Sequence, residues 1–136
     1  MTTTVFAMMG AHPARADGSR TEKLAHCVEA CLVCAQACTA CADSCLAEGD
    51  AEELTACVTV ALDCADVCAA TARVLSRRTA SDAALMRSLL QACTTACSCC
   101  ADRCAAQAKE HRHCLICAEK CRDSQHACTE IFAVLV

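Results

Sequence analysis

From about Thr21 onward, apolar, alanine and cysteine positions return at steps of three and four residues, the period of one helix face. Period-2 alternation and β-branched runs are absent, so no strand is predicted. The three glycines and one proline (Gly10, Pro13, Gly18, Gly49) all fall outside the long periodic segments. Ser19-Arg20-Thr21-Glu22 has the form of a capping box and opens a helix to about Leu46. Glu48-Gly49-Asp50 closes it, and Asp50 with Glu53 offers a cap for a second helix to about Ser76. Arg77 to Asp82 breaks the pattern again, with cations at a helix end and a Ser/Asp cap for the next start. Residues 105–113 contain no Gly or Pro, but an unbroken helix from Asp82 to the C-terminus would be about 80 Å long, against about 40 Å for each of the first two. A turn near Lys109–Arg112 is therefore predicted. The expected fold is all-α: an antiparallel up-down-up-down four-helix bundle over residues 19–136, preceded by an N-terminal extension, residues 1–18, with room for a short helix before Pro13.

What occupies the inner stripes is unusual. On the first helix Cys27, Cys31, Cys34, Cys38, Cys41 and Cys45 follow one another at steps of 4, 3, 4, 3 and 4. At about 100° per residue they span roughly 80° of the helix wheel, the seam where Leu and Ile normally sit. Cys57, Cys64 and Cys68 repeat the pattern on the second helix, with Ala61 at the missing step. Cys93, Cys97, Cys100 and Cys104 do so on the third, and Cys114, Cys117, Cys121 and Cys128 on the fourth. Cys99 is the exception: it points about 120° away from its neighbours and is expected at a flank or on the surface. A core selected for stability alone would use larger aliphatic side chains, which bury more apolar area. Seventeen aligned thiols therefore point to metal ligation.

Composition narrows the metal. The 136 residues suffice for one domain, and with two Phe and no Trp or Tyr the core must be built from small side chains. A net charge of −4 offers no basic face for nucleic acid, and no apolar run approaching a membrane span of roughly 18 residues is visible. Residues 1–16 lack a basic n-region, and the apolar stretch Val5–Met9 is shorter than an export signal needs. A cytoplasmic location is expected, where thiols stay reduced and dense cysteines read as metal ligands rather than disulfides. Thiolates select Cu(I), Zn or iron–sulfur clusters. Tetrahedral zinc sites would use sixteen thiolates for four ions and leave eight uncompensated charges inside the bundle, a prohibitive burial. A monovalent ion at about one per thiolate leaves the interior neutral and tolerates low coordination, which favours many Cu(I) ions. Alternatives are a zinc-sequestering, metallothionein-like protein, an iron–sulfur carrier built on Cys93–Cys104 or Cys114–Cys121, and a thiol redox carrier built on Cys114-Leu-Ile-Cys117. No positioned base or substrate pocket supports an enzyme.

The run Cys27-x-x-x-Cys31-x-x-Cys34-x-x-x-Cys38-x-x-Cys41-x-x-x-Cys45, with the cysteine runs of the later helices, resembles the bacterial copper storage proteins, in particular their cytosolic branch, over about residues 20–135. The resemblance implies a four-helix bundle filled with Cu(I) held by cysteine pairs, assembly into a homotetramer, and storage rather than catalysis. Exported members carry a twin-arginine signal, which is not seen here. Cys99 departs from the simple pattern.

Up-down topology puts Cys45, Cys57, Cys104 and Cys114 at one end of the bundle. Leu24, Leu75, Met86, Leu89, Leu90 and Ile131 stack at the other, which is expected to be sealed, whereas the cysteine end shows no such plug. His111 and His113 lie at that open end, and imidazole is a competent copper ligand. The resemblance agrees, since cytosolic members use histidines near the mouth. His26 and His126 fall well off their stripes and are expected at the surface, Met8-Met9 reads as a hydrophobic contact, and Glu52-Glu53, Arg77-Arg78 and Glu119-Lys120 read as solvated faces.

Overall fold

A computed structural model describes residues 3–14, 18–50 and 52–135. Its elements are α1 (Thr4–Ala11), α2 (Gly18–Ala47), α3 (Thr55–Ser76), α4 (Ala83–Gln107) and α5 (Arg112–Leu135), with no strand among the described residues. The four long helices form the bundle. Helix α2 packs on α3 and α5, and α4 packs on the same two, so the order around the bundle is α2, α3, α4, α5. Helix α1 lies against α2. The helices need close approach because Ala and Cys supply most of the interior: Ala25, Ala42, Ala61, Ala72 and Ala101 are buried among the thiols.

Local signals explain some boundaries, although α2 already begins at Gly18, ahead of the expected Ser19 capping box. Asp82 caps α4, its Oδ1 accepting from the Leu85 N–H at 3.0 Å. Thr3 caps α1 by accepting from the Phe6 N–H at 3.4 Å. Between α4 and α5 the chain turns at residues 108–111, where the Glu110 and His111 N–H groups both donate to the Gln107 carbonyl and the His111 carbonyl then accepts from the Cys114 N–H. The expected Asp50 cap is corrected. Helix α3 starts five residues later, with Leu54 in the cap position and no side-chain bond, because Asp50 is engaged elsewhere and Leu54 is drawn into the core, 0% exposed.

Three other expectations change. By length and hydropathy alone α2 and α3 could each cross a membrane, contrary to the sequence reading; their apolar character comes from cysteine and alanine stripes that face the interior of the bundle. Arg78 is not on a solvated face: its guanidinium donates to the Met9 carbonyl at 3.0 Å and lies 3.6 Å from the Met9 Sδ, pinning α1 to the α3–α4 turn. Met9 is buried, whereas Met8 is 66% exposed. Finally, Leu24, Leu75, Met86, Leu90 and Ile131 do seal one end, with Leu89 only half-buried. The opposite end is not plug-free, since Leu54 and His111 are buried there.

Candidate metal site

All eighteen cysteines are free thiols; the seventeen on the stripes are buried and Cys99 is exposed. Because each stripe is narrow, four of them converge on the bundle axis, and sulfurs meet across both neighbouring and diagonal helices. Nearest the sealed end, Cys27 and Cys31 lie 3.7 and 3.8 Å from Cys128. Cys31 reaches across to Cys93 at 3.9 Å, and Cys93 lies 3.7 Å from Cys68. Cys68 and Cys64 then approach Cys97 at 3.6 and 3.8 Å. In the middle, Cys34 lies 3.9 Å from Cys64 and 3.7 Å from Cys121. Cys38 has Cys34, Cys100, Cys117 and Cys121 at 3.8, 3.9, 3.7 and 3.6 Å. Cys100 continues to Cys104 and Cys117, both at 3.9 Å, and Cys41 lies 4.0 Å from Cys114. Cys57 sits at the flank and points its thiol at the Arg103 carbonyl, 3.6 Å away.

A soft ion with metal–sulfur bonds of about 2.3 Å fits between two sulfurs at such spacings with little side-chain adjustment. Several quartets are already close enough to share an ion, their donor atoms lying within 4.8 Å of one another: Cys34, Cys64, Cys68 and Cys97; Cys34, Cys38, Cys64 and Cys121; Cys38, Cys100, Cys117 and Cys121. The quartets share Cys34, Cys38, Cys64 and Cys121, so they join into one column in which these sulfurs can bridge neighbouring ions.

Histidine enters at the end away from the seal. His113 Nδ1 is 3.4 Å from Cys41 Sγ and 3.6 Å from Cys114 Sγ, forming a further group with Cys45. His111 does not face the thiols: its two ring nitrogens lie 3.2 Å from Glu48 Oε2 and 3.1 Å from Asp50 Oδ2. His26 stands edge-on to Phe6, and His126 pairs with Glu130, both away from the column.

Ser124 was missed in the sequence. It is fully buried, with its hydroxyl 3.6 Å from Cys31 Sγ and 3.8 Å from Cys68 Sγ. The signal was present in the spacing, because Cys117, Cys121, Ser124 and Cys128 continue the 4, 3, 4 rhythm. A hydroxyl oxygen is a hard donor and a poor partner for a soft ion, so Ser124 marks one gap in the column. Ser124→Cys is expected to raise capacity by about one soft ion, read by metal titration, because it restores a thiolate at a step the helix already presents. Glu48 and Asp50 were likewise read only as helix punctuation.

The electrostatics follow from burial and from thiols donating to one another. Desolvation pushes the Cys45 and Cys57 thiols up, and that of Cys114 to about 12. Deeper in, Cys34, Cys93 and Cys100 are pushed down by hydrogen bonding with neighbouring thiols, Cys121, Cys128 and Cys104 first. Their partners Cys38 and Cys121 are pushed up, both chiefly through Cys100. At the mouth, the Asp50 carboxylate raises the pKa of His111. Groups with a raised pKa in the fold stabilise it below their ordinary pKa, here 9.0, and lose that contribution as pH climbs through the folded value. The metal-free protein should therefore lose thermal stability between about pH 9 and about pH 12, whereas a metal-loaded form with no thiols left to titrate should change little. Helical CD melts of both forms across that range test this.

A four-helix bundle with an internal column of free thiols defines a class: a protein whose core can hold many soft metal ions. Residues 20–133 match the family described as Csp, copper storage protein. The chain belongs to the copper storage protein family. Among solved structures it is similar to the copper storage protein Ccsp of Streptomyces lividans loaded with 10 copper equivalents, at 52% identity and a TM-score of 0.92, covering 96% of this chain and 98% of that one. It is also similar to the cytosolic copper storage protein of the same organism carrying five coppers, at 54% identity and a TM-score of 0.84, over 86% and 98% of the two chains. A variant of Ccsp with one histidine replaced by alanine matches at 54% identity and a TM-score of 0.84, over 85% and 96%. No curated protein sequence compared with the chain matches it. Family membership settles the choice among copper, zinc and iron–sulfur readings in favour of copper.

Proposed function

We propose that this chain is a cytosolic store that takes up Cu(I) into its core at close to one ion per stripe cysteine. The ligands are Cys27, Cys31, Cys34, Cys38, Cys41, Cys45, Cys57, Cys64, Cys68, Cys93, Cys97, Cys100, Cys104, Cys114, Cys117, Cys121 and Cys128. His113 and His111 serve the mouth, and residues 19–136 form the storage unit with 1–18 as an extension. The carrying observation is the succession of sulfur–sulfur separations of 3.6–3.9 Å from Cys27 to Cys104, with Cys41 and Cys114 4.0 Å apart beyond it. Neutrality inside a low-dielectric core favours a monovalent ion for each thiolate. The likeness to a cytosolic protein of S. lividans supports the location. Resemblance to the family supports a homotetramer, which light scattering of the purified protein would test.

Anaerobic titration of the reduced protein with Cu(I), against a competing chromogenic chelator, tests storage directly. Uptake approaching one ion per buried cysteine, with proton release and unchanged helical CD, is expected. Saturation after only a few ions would overturn the reading. Ions are proposed to enter beside His113, since apolar side chains close the other end. Replacing His111 and His113 together by alanine should slow uptake and leave capacity nearly intact; unchanged rates would rule out this route.

A further inference from the structure

The two mouth histidines are held by one carboxylate. Glu48 follows the last residue of α2, and its N–H donates to the Cys45 carbonyl at 3.2 Å. A carboxylate there opposes the negative end of the helix macrodipole, so its position is locally unfavourable unless a partner compensates. The compensation is double: Oε1 lies 3.1 Å from His113 Nε2, and Oε2 lies 3.2 Å from His111 Nδ1. The imidazoles are tilted by 33° with centroids 5.5 Å apart, as expected for two rings on one carboxylate.

An ionised carboxylate only accepts. Its contact with His113 Nε2 therefore places the ring proton on that nitrogen, leaving the lone pair of Nδ1 bare. That lone pair is the one facing Cys41 and Cys114, at 3.4 and 3.6 Å. With the opposite tautomer Nδ1 would carry a proton toward the thiols, and an ion could not bind there until that proton had left. His111 stands in contrast, since both of its nitrogens meet carboxylates and it can bind an ion only by releasing one.

We infer that Glu48 is a positioning residue for copper uptake: it holds His113 in the tautomer whose Nδ1 accepts the incoming Cu(I), and it braces His111 as a second support rather than as an equal ligand. The inference rests on the proposed role of His113 at the mouth.

Three measurements on the intact metal-free protein test it: the ring-nitrogen NMR signature of His113 at a pH where the ring is neutral, the rate of anaerobic Cu(I) uptake, and the final capacity. Wild type should show the proton on Nε2. E48A should mix the tautomers and slow early uptake by about 10- to 100-fold, the usual cost of losing a ligand's outer partner, with the capacity preserved. E48Q retains an oxygen that accepts from Nε2–H and should restore much of both signals. In an H113A background, E48A should add little further slowing. If E48A leaves the tautomer unchanged, or slows uptake equally with and without His113, Glu48 acts by charge alone and the inference is wrong. If H113A itself does not slow uptake, the mouth-ligand reading fails; a slow H113A beside a fast E48A removes only the role of Glu48.

Discussion

Cys38→Ser should lower the Cu(I) capacity of the protein by about two ions, more than the single thiolate removed, because its sulfur bridges. Four other sulfurs surround it within 3.6–3.9 Å, on α2, α4 and α5, so it is the node at which the middle of the column is joined. A serine hydroxyl preserves the size and shape of the side chain almost completely but offers a hard oxygen to a soft ion. It also loses the negative charge that balances a bound monovalent cation. The metal-free variant should remain folded, at a cost of about 1–3 kcal/mol for burying a hydroxyl among weak sulfur partners. Cys99→Ser is the control: that thiol is exposed and off the column, so capacity should not change. Titration of the two variants side by side would separate a bridged column from independent sites, and a Cys38→Ser capacity equal to wild type would contradict bridging.

Copper loading should raise the thermal midpoint by more than about 20 °C, the largest stability change expected for this protein. The reasoning is linkage: an ion that binds the folded chain better than the unfolded one stabilises it by about 4.1 kcal/mol when present at a thousand times its dissociation constant. Unfolded cysteines also bind Cu(I), which reduces the gain at each site. The folded column, however, holds three or four sulfurs together at once, for example Cys34, Cys64, Cys68 and Cys97, which an open chain must assemble against its own entropy. The metal-free form should nevertheless be helical, because neutral thiols pack as small hydrophobes and the described buried side-chain nitrogen and oxygen atoms all have partners. Anaerobic CD melts with and without Cu(I) provide the measurement. An unfolded metal-free chain, or an unchanged midpoint on loading, would contradict this account.

The stripe cysteines were legible in the sequence because helical periodicity alone decides which side chains share a face, and all seventeen are buried. Cys99 was legible as the exception by the same rule. The Asp82 cap was legible too, since an Asp before a periodic segment needs only its own chain to make the bond to the Leu85 N–H. Ser124 could have been read from spacing but was not, because serine carries no ligand chemistry to draw attention to its place. Leu54 shows where local rules were overridden: a capping Asp and Glu were available nearby, yet burial of one leucine moved the start of α3.

By itself, then, the sequence determined four helices, the residues that face inward, and a soft-metal cargo. Each depends on contacts within about one turn of helix or on the chemistry of a single residue type. Only the tertiary structure decided which sulfurs pair, that the diagonal helices meet through thiols, and that Arg78 fastens α1 through Met9. It alone separated His113, which faces the thiols, from His111, which does not, and showed one carboxylate just beyond α2 reaching both. Those contacts join groups up to 101 residues apart, and their geometry depends on how four rigid rods are rotated and how their loops are placed. No local rule carries that information; the packing of small side chains around the column does.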